Sequence, residues 1–216
     1  MKKFAISTLL LLTAAGTTQA QLRNRSLVAL GVKAGGSAAT YINDESRGAR
    51  FLYGGHGGLF VRIPLQPPFY VQPELLYSMK GSTTEERFDG TALTLRTAYL
   101  DLAVPFRVSG GGLFAELGPQ VGYLLSGSYD NGDGSGTTST KELFRKVDVG
   151  YLIGAGYQSF NGGLGFGVRF NGGFLSALKP DVYLPGVYPF TNVVRNGVVQ
   201  LYVTYSKDRS QRPTKK

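Results

Sequence analysis

The sequence predicts an all-β fold: an eight-stranded, antiparallel, up-and-down transmembrane β-barrel preceded by a cleavable export signal. Three observations predict it. Segments of roughly ten residues alternate apolar with small or polar side chains at a period of two. The connections between them alternate between tight turns and long loops. The chain also opens with the charge, apolar run and small-residue cleavage site of a secretory signal.

That signal is residues 1–20. Lys2 and Lys3 precede an apolar run from Phe4 to Ala15, and Thr18-Gln19-Ala20 forms the cleavage site before Gln21. The run is too short to cross a bilayer as a helix, which takes roughly 20 residues. Without cysteine the chain has neither a lipid-attachment site nor a disulfide framework. The barrel is expected over residues 21–205, with a basic, disordered tail over 206–216.

The first strand, Leu27 to Ala39, sets Val28, Leu30, Val32 and Ala34 against Ala29, Gly31, Lys33 and Gly35. The second, Gly54 to Ile63, sets Leu59, Val61 and Ile63 against His56, Gly58, Phe60 and Arg62. In the third, Phe69 to Lys80, the oily face is Phe69, Val71, Pro73, Leu75, Tyr77 and Met79, and the other carries Gln72, Glu74, Ser78 and Lys80. The fourth ends near Val108, with Leu100, Leu102, Val104 and Phe106 opposite Tyr99, Asp101, Ala103 and Arg107.

The fifth, Leu113 to Ser126, has the plainest alternation. Leu113, Ala115, Leu117, Pro119, Val121, Tyr123 and Leu125 share one side, while Phe114, Glu116, Gly118, Gln120, Gly122, Leu124 and Ser126 share the other. The sixth, about Arg145 to Phe160, opposes Val147, Val149, Tyr151, Ile153, Ala155 and Tyr157 to Lys146, Asp148, Gly150, Gly154, Gly156 and Gln158. The seventh, Gly163 to Ser176, opposes Leu164, Phe166, Val168 and Phe170 to Gly165, Gly167, Arg169 and Asn171. The eighth, about Val193 to Tyr205, opposes Val199, Leu201, Val203 and Tyr205 to Val198, Gln200, Tyr202 and Thr204. Pro64 to Pro68, Ser109 to Gly112 and Asn161 to Gly163 read as tight turns. Thr40 to Tyr53, Gly81 to Ala92, Gly127 to Glu142 and Ala177 to Asn192 read as long outer loops.

Parity alone leaves open which face is inside. Glycine, 31 of 216 residues and about twice its usual share of about 7%, concentrates on the polar face, where a narrow bore needs room for long neighbours. Aromatics mark both ends of the oily face: Phe69, Phe106, Tyr157 and Tyr205 near the turns, and Tyr77, Tyr123, Tyr151 and Phe174 near the loops. These are the two girdles of a lipid-facing wall. The oily face also lacks mid-strand charge, as a lipid contact requires. The lumen then holds Lys33, Arg62, Lys80, Arg107, Lys146 and Arg169 against Glu74, Asp101, Glu116 and Asp148. In so small a bore these must pair, because an unpaired buried charge is heavily penalised. A plugged, salt-bridged interior follows, with excess positive charge that water or anions balance.

The segments QPELLYS (Gln72 to Ser78), YLDLAVPF (Tyr99 to Phe106) and FAELGPQVGYLLS (Phe114 to Ser126) resemble the PorT-like outer-membrane β-barrel family, the porin-family proteins of Bacteroidota, over nearly the whole mature chain. The resemblance implies an OmpX-like barrel in a Gram-negative envelope. It also implies a possible part in secretion across the outer membrane, the role of the name-giving member. Where such barrels commonly end on the aromatic read by the assembly machinery, here residues 206–216 follow Tyr205.

No pattern in the chain points to an enzyme or a cofactor. His56 is the sole histidine, so a membrane hydrolase would have to use it, and no Ser or Asp lies beside it in sequence. Asn131, Asp133, Ser135, Gly136 and Glu142 fall in the register of a calcium loop, but Asn at the first position and flanking strands favour a plain polar loop. Gly163, Gly165 and Gly167 have the wrong spacing for a nucleotide fingerprint. The formal charge of +9 is scattered over strands and the tail, where Lys207, Arg209, Arg212, Lys215 and Lys216 cluster, so nucleic acid is not expected as a partner. The expected partners are outer-membrane lipid and an envelope or surface protein reached through the long loops. The expected role is a scaffold or envelope accessory. A small-solute diffusion channel is the alternative, and a soluble lipocalin-like binder a remoter one.

Overall fold

The computed structural model describes residues 28–42, 49–84, 93–130, 137–139, 141–159, 163–178 and 195–207. Its strands are β1 (Ala29–Ile42), β2 (Ala49–Arg50), β3 (Leu52–Pro64), β4 (Phe69–Val71), β5 (Glu74–Thr84), β6 (Leu93–Ala103), β7 (Phe106–Gly110), β8 (Leu113–Asp130), β9 (Thr137–Ser139), β10 (Val147–Gln158), β11 (Leu164–Ser176) and β12 (Arg195–Lys207). The only helical piece among the described residues is a 3-10 turn, Lys141–Leu143. No helix there is long and apolar enough to cross a membrane.

Every neighbouring pair is antiparallel, and β1 pairs with both β3 and β12, which closes the sheet on itself. β4 and β5 form one wall strand broken at Gln72-Pro73, and β6 and β7 form another broken at Val104-Pro105. β2 and β9 are short extensions on β5 and β8. The wall is therefore an eight-stranded barrel. Proline has no N–H to give a ladder, but its carbonyl still accepts. Across the breaks, Val61 N donates to Pro73 O at 2.9 Å, Gln72 N to Pro105 O at 2.9 Å and Val104 N to Pro119 O at 3.0 Å, so the wall stays closed.

Short turns gather at one end, and there Leu30 pairs with Lys207, so both described termini lie at the turn end. At the loop end the strands outrun the apolar alternation: β1 continues to Ile42, β5 to Thr84 and β8 to Asp130. Backbone pairing sustains these extensions, with Thr84 opposite Leu93 and Asp130 opposite Thr94. A register shift between Ala98 and Tyr99 lets β6 follow β8 through the bend.

The alternation sorts the two faces. Leu30, Val32, Leu59, Leu75, Leu102, Leu117, Ile153, Phe166, Leu201 and Val203 stand exposed around the wall, far more apolar surface than a water-soluble monomer shows. Polar and charged side chains point inward and are buried. The aromatics pack in pairs on the outside: Phe69 with Phe106 at 5.5 Å and Tyr157 with Phe166 at 5.7 Å toward the turns, Tyr151 with Phe174 at 5.2 Å toward the loops. Tyr77, Tyr123 and Tyr205 are also exposed, and Tyr53, which the parity reading passed over, is 78% exposed.

Candidate functional site: the filled lumen

The lumen is built from inward positions of every wall strand. Glu74, at the start of β5, is its hub. Lys33 Nζ donates to both carboxylate oxygens at 2.7 and 2.8 Å, and Arg169 donates Nη1 and Nη2 at 2.7 and 3.0 Å. Arg169 turns its other edge to Glu116, with Nε and Nη2 on Oε1 at 2.9 and 2.8 Å. The Tyr202 hydroxyl donates to that oxygen at 2.7 Å, and the Lys33 ammonium lies 4.1 Å from the Tyr202 ring centroid. Gln72 Nε2 completes the hub with a bond to Glu74 Oε1 at 2.7 Å. Two carboxylates and two cations, all fully buried, thus neutralise one another in a lattice of charge-assisted hydrogen bonds.

A second cluster stands apart. Lys80 Nζ reaches Asp101 Oδ1 at 3.0 Å and Asp148 Oδ2 at 3.2 Å, and Asn196 Nδ2 donates to Asp148 Oδ2 at 2.9 Å. Glycine makes room here: a Cβ at Gly122 would come within 2.4 Å of Asp101 Oδ1. Toward the loops the filling changes character. Tyr41, Leu95, Tyr99, Leu124, Phe144, Ala177 and Leu178 form a buried apolar cluster, and Phe144 and Leu178 are joined by an isolated bridge. Phe144 follows the Lys141–Leu143 turn and is fully buried, so a segment beyond the strands packs into the loop end of the bore.

Lys33, Glu74, Lys80, Asp101, Arg107, Glu116, Asp148 and Arg169 are all buried in the lumen. One residue departs from the expected network, and another joins it only from the rim. Lys146 is exposed, because β10 begins only at Val147 and leaves its side chain at the rim. Arg62 is half-buried at the end of β3, where Nε donates to Gln72 Oε1 at 2.8 Å and Nη2 to Gln158 Oε1 at 3.0 Å. Among the described residues the fully buried charges are four cations and four carboxylates, so the expected positive excess is not found deep in the bore. Gln72, Asn196 and Tyr202 were missed as network members, although inward parity marks all three. Phe144 and Leu178 carry no periodic signal.

His56 is buried inside the bore, opposite Gly35 and Ser78, rather than at an open mouth. Neither ring nitrogen has a hydrogen-bond partner among the described residues, nor has Ser78 Oγ. The Asn131 to Ser135 stretch of the calcium register and the residues after Lys207 lie outside the described residues, as do residues 1–27; Glu142 is exposed. Among the described residues no group of three or more His, Cys, Asp or Glu is placed to hold a metal.

The family model described as outer membrane protein beta-barrel domain matches residues 19–179. No curated protein matches the sequence. Among solved structures the chain is similar to neisserial surface protein A, with a TM-score of 0.51 and 12% identity over 82% of this chain and 97% of that one. It is also similar to Ail, the attachment invasion locus protein of Yersinia pestis, with a TM-score of 0.46 and 12% identity over 85% and 100%. For the N-terminal β-barrel domain of OprF from Pseudomonas aeruginosa the values are 0.38 and 12% over 85% and 100%. At such identity the likeness to neisserial surface protein A speaks for the fold alone.

Proposed function

Because the chain belongs to the outer membrane protein beta-barrel domain family, we propose that it is a closed, non-enzymatic barrel of the outer membrane that acts as a scaffold and interaction module rather than a solute channel. The observation that carries this reading is the filling of the bore. Two buried ion clusters and an apolar plug occupy it in series. A conducting pore of this strand number would need a continuous hydrated path.

In this reading residues 1–20 direct export and are removed, the apolar belt and its girdles sit in lipid, and the long loops meet an envelope or surface protein. The basic residues 206–216 hang into the periplasm. The resemblance of Gln72 to Ser78, Tyr99 to Phe106 and Phe114 to Ser126 to PorT-like barrels of Bacteroidota supports an accessory role in secretion.

Single-channel recording of the detergent-purified protein, shown to be folded by heat-shifted gel mobility, tests the reading. An inserted but silent barrel is the expected result. Steady step-like openings would sink it in favour of a diffusion channel.

A further inference from the structure

The hub cluster and its neighbours at the turn end are not evenly matched. Among the described residues Lys33, Arg107 and Arg169 converge there on Glu74 and Glu116, with Arg62 bonded to Gln72 at the edge. Arg169 takes both carboxylates, and Lys33 shares Glu74. Arg107, only 2% exposed, is left with a neutral partner: its Nη1 donates to Gln72 Oε1 at 2.8 Å, the same oxygen that accepts from Arg62 Nε at 2.8 Å. Two guanidinium groups thus converge on one amide oxygen. One face of Arg107 is covered by Phe114, whose ring centroid lies 3.3 Å from its Cζ. Its Nε and Nη2 have no partner among the described residues.

Those two donors form one edge of the guanidinium, the side-on fork that grips two oxygens of an oxyanion. Arg169 uses the same Nε/Nη2 edge for Glu116, so the lumen itself shows what that edge takes. Glu116 is the residue directly across from Arg107; its Oε1 accepts from Arg169 and Tyr202, and its Oε2 has no partner among the described residues but is not engaged by the Arg107 edge. The nearest surface is at the turns: Arg107, itself buried, lies just before the Ser109 to Gly112 turn, Arg62 just before Pro64, and Gln158 at the end of β10. Arg62 and Gln158 are only half-buried, so the mouth is reached by solvent.

We propose that Arg107, with Arg62 and Gln72 beside it, forms a binding site for a small oxyanion of the phosphate, sulfate or carboxylate class at the turn-end mouth of the barrel. The site stands whether or not the barrel is a scaffold, because it needs only the mouth.

Calorimetric titration of the folded full-length barrel in detergent with inorganic phosphate, at constant ionic strength, tests it. Saturable one-to-one binding is expected. Arg107→Lys keeps the charge but removes the two-donor edge, and should weaken binding about tenfold. Gln158→Glu leaves Arg107 untouched, places a competing carboxylate against Arg62, and should weaken binding by a similar factor of about ten. No saturable phosphate heat from the folded wild-type barrel would overturn the site; Arg107 would then turn its edge on Glu116 Oε2. Undiminished binding in folded Arg107→Lys, or in Gln158→Glu if the lysine variant does not fold, would also overturn it.

Discussion

The two ends of the bore are filled by opposite chemistry. From the turn end to mid-barrel the filling is ionic, carried on inward positions of the strands and knit by bonds of 2.7 to 3.0 Å. At the loop end it is apolar, and Phe144 and Leu178 come from segments beyond the strand ends. The ionic part cannot leave without breaking the wall, since each of its members is fixed to a paired strand. In the apolar part Phe144 and Leu178 are held by packing and by the short backbone bridge that joins them, not by a strand of the wall. One end is therefore part of the frame, and the other is a stopper seated in it.

Glu74→Ala should widen that contrast most. It strands Lys33 in a buried site and leaves Arg169 with Glu116 alone, at a cost of about 3–5 kcal/mol. The exposed Glu142, beside the stopper, should change stability by no more than about 0.5 kcal/mol when replaced by Ala. Urea midpoints of the two folded variants in detergent measure the difference, and equal midpoints would mean the hub is not part of the frame. A smaller effect is expected within the wall itself. A Cβ at Gly35 would meet the Leu201 carbonyl oxygen at 2.0 Å, whereas at Gly36, which faces outward, nothing lies within 4 Å. Gly35→Ala should cost about 1–3 kcal/mol and Gly36→Ala almost nothing, by the same midpoint assay. Should the neighbouring variants behave alike, the inner face is looser than its contacts imply.

The same division explains what was legible in the sequence. The ionic frame is written in a period of two, so Lys33, Glu74, Asp101, Glu116 and Arg169 could be assigned to one face from parity alone. Their pairing was not legible, because it joins residues such as Glu74 and Arg169 that are 95 positions apart. Lys146 misled for a related reason: parity carries on past the point where β10 begins, and Arg145 and Lys146 at that rim reach solvent. The stopper had no pattern to read. Phe144 sits after a polar stretch, and its burial depends on Leu95, Tyr99 and Leu124 from other strands. Gly127 is the one local hint in hindsight, since a Cβ there would lie 2.5 Å from the Phe144 ring.

Removing the stopper should move global stability least, yet alter the loop end most. Phe144 lies outside the paired wall, so Phe144→Ala can release its segment by local opening while the frame persists. A midpoint change below about 1 kcal/mol is expected, well under the 3–5 kcal/mol typical of Phe→Ala in a rigid core. The chain has no cysteine, which makes a clean reporter possible: Leu124→Cys puts a thiol at a fully buried position against Phe144. Labelling of that thiol by a charged maleimide should be slow with Phe144 in place and rise by about tenfold or more in Phe144→Ala. Such a rise with little loss of stability is what a seated stopper requires. A large stability loss with no gain in labelling would instead make Phe144 part of the frame, and both ends of the bore would then be held in the same way.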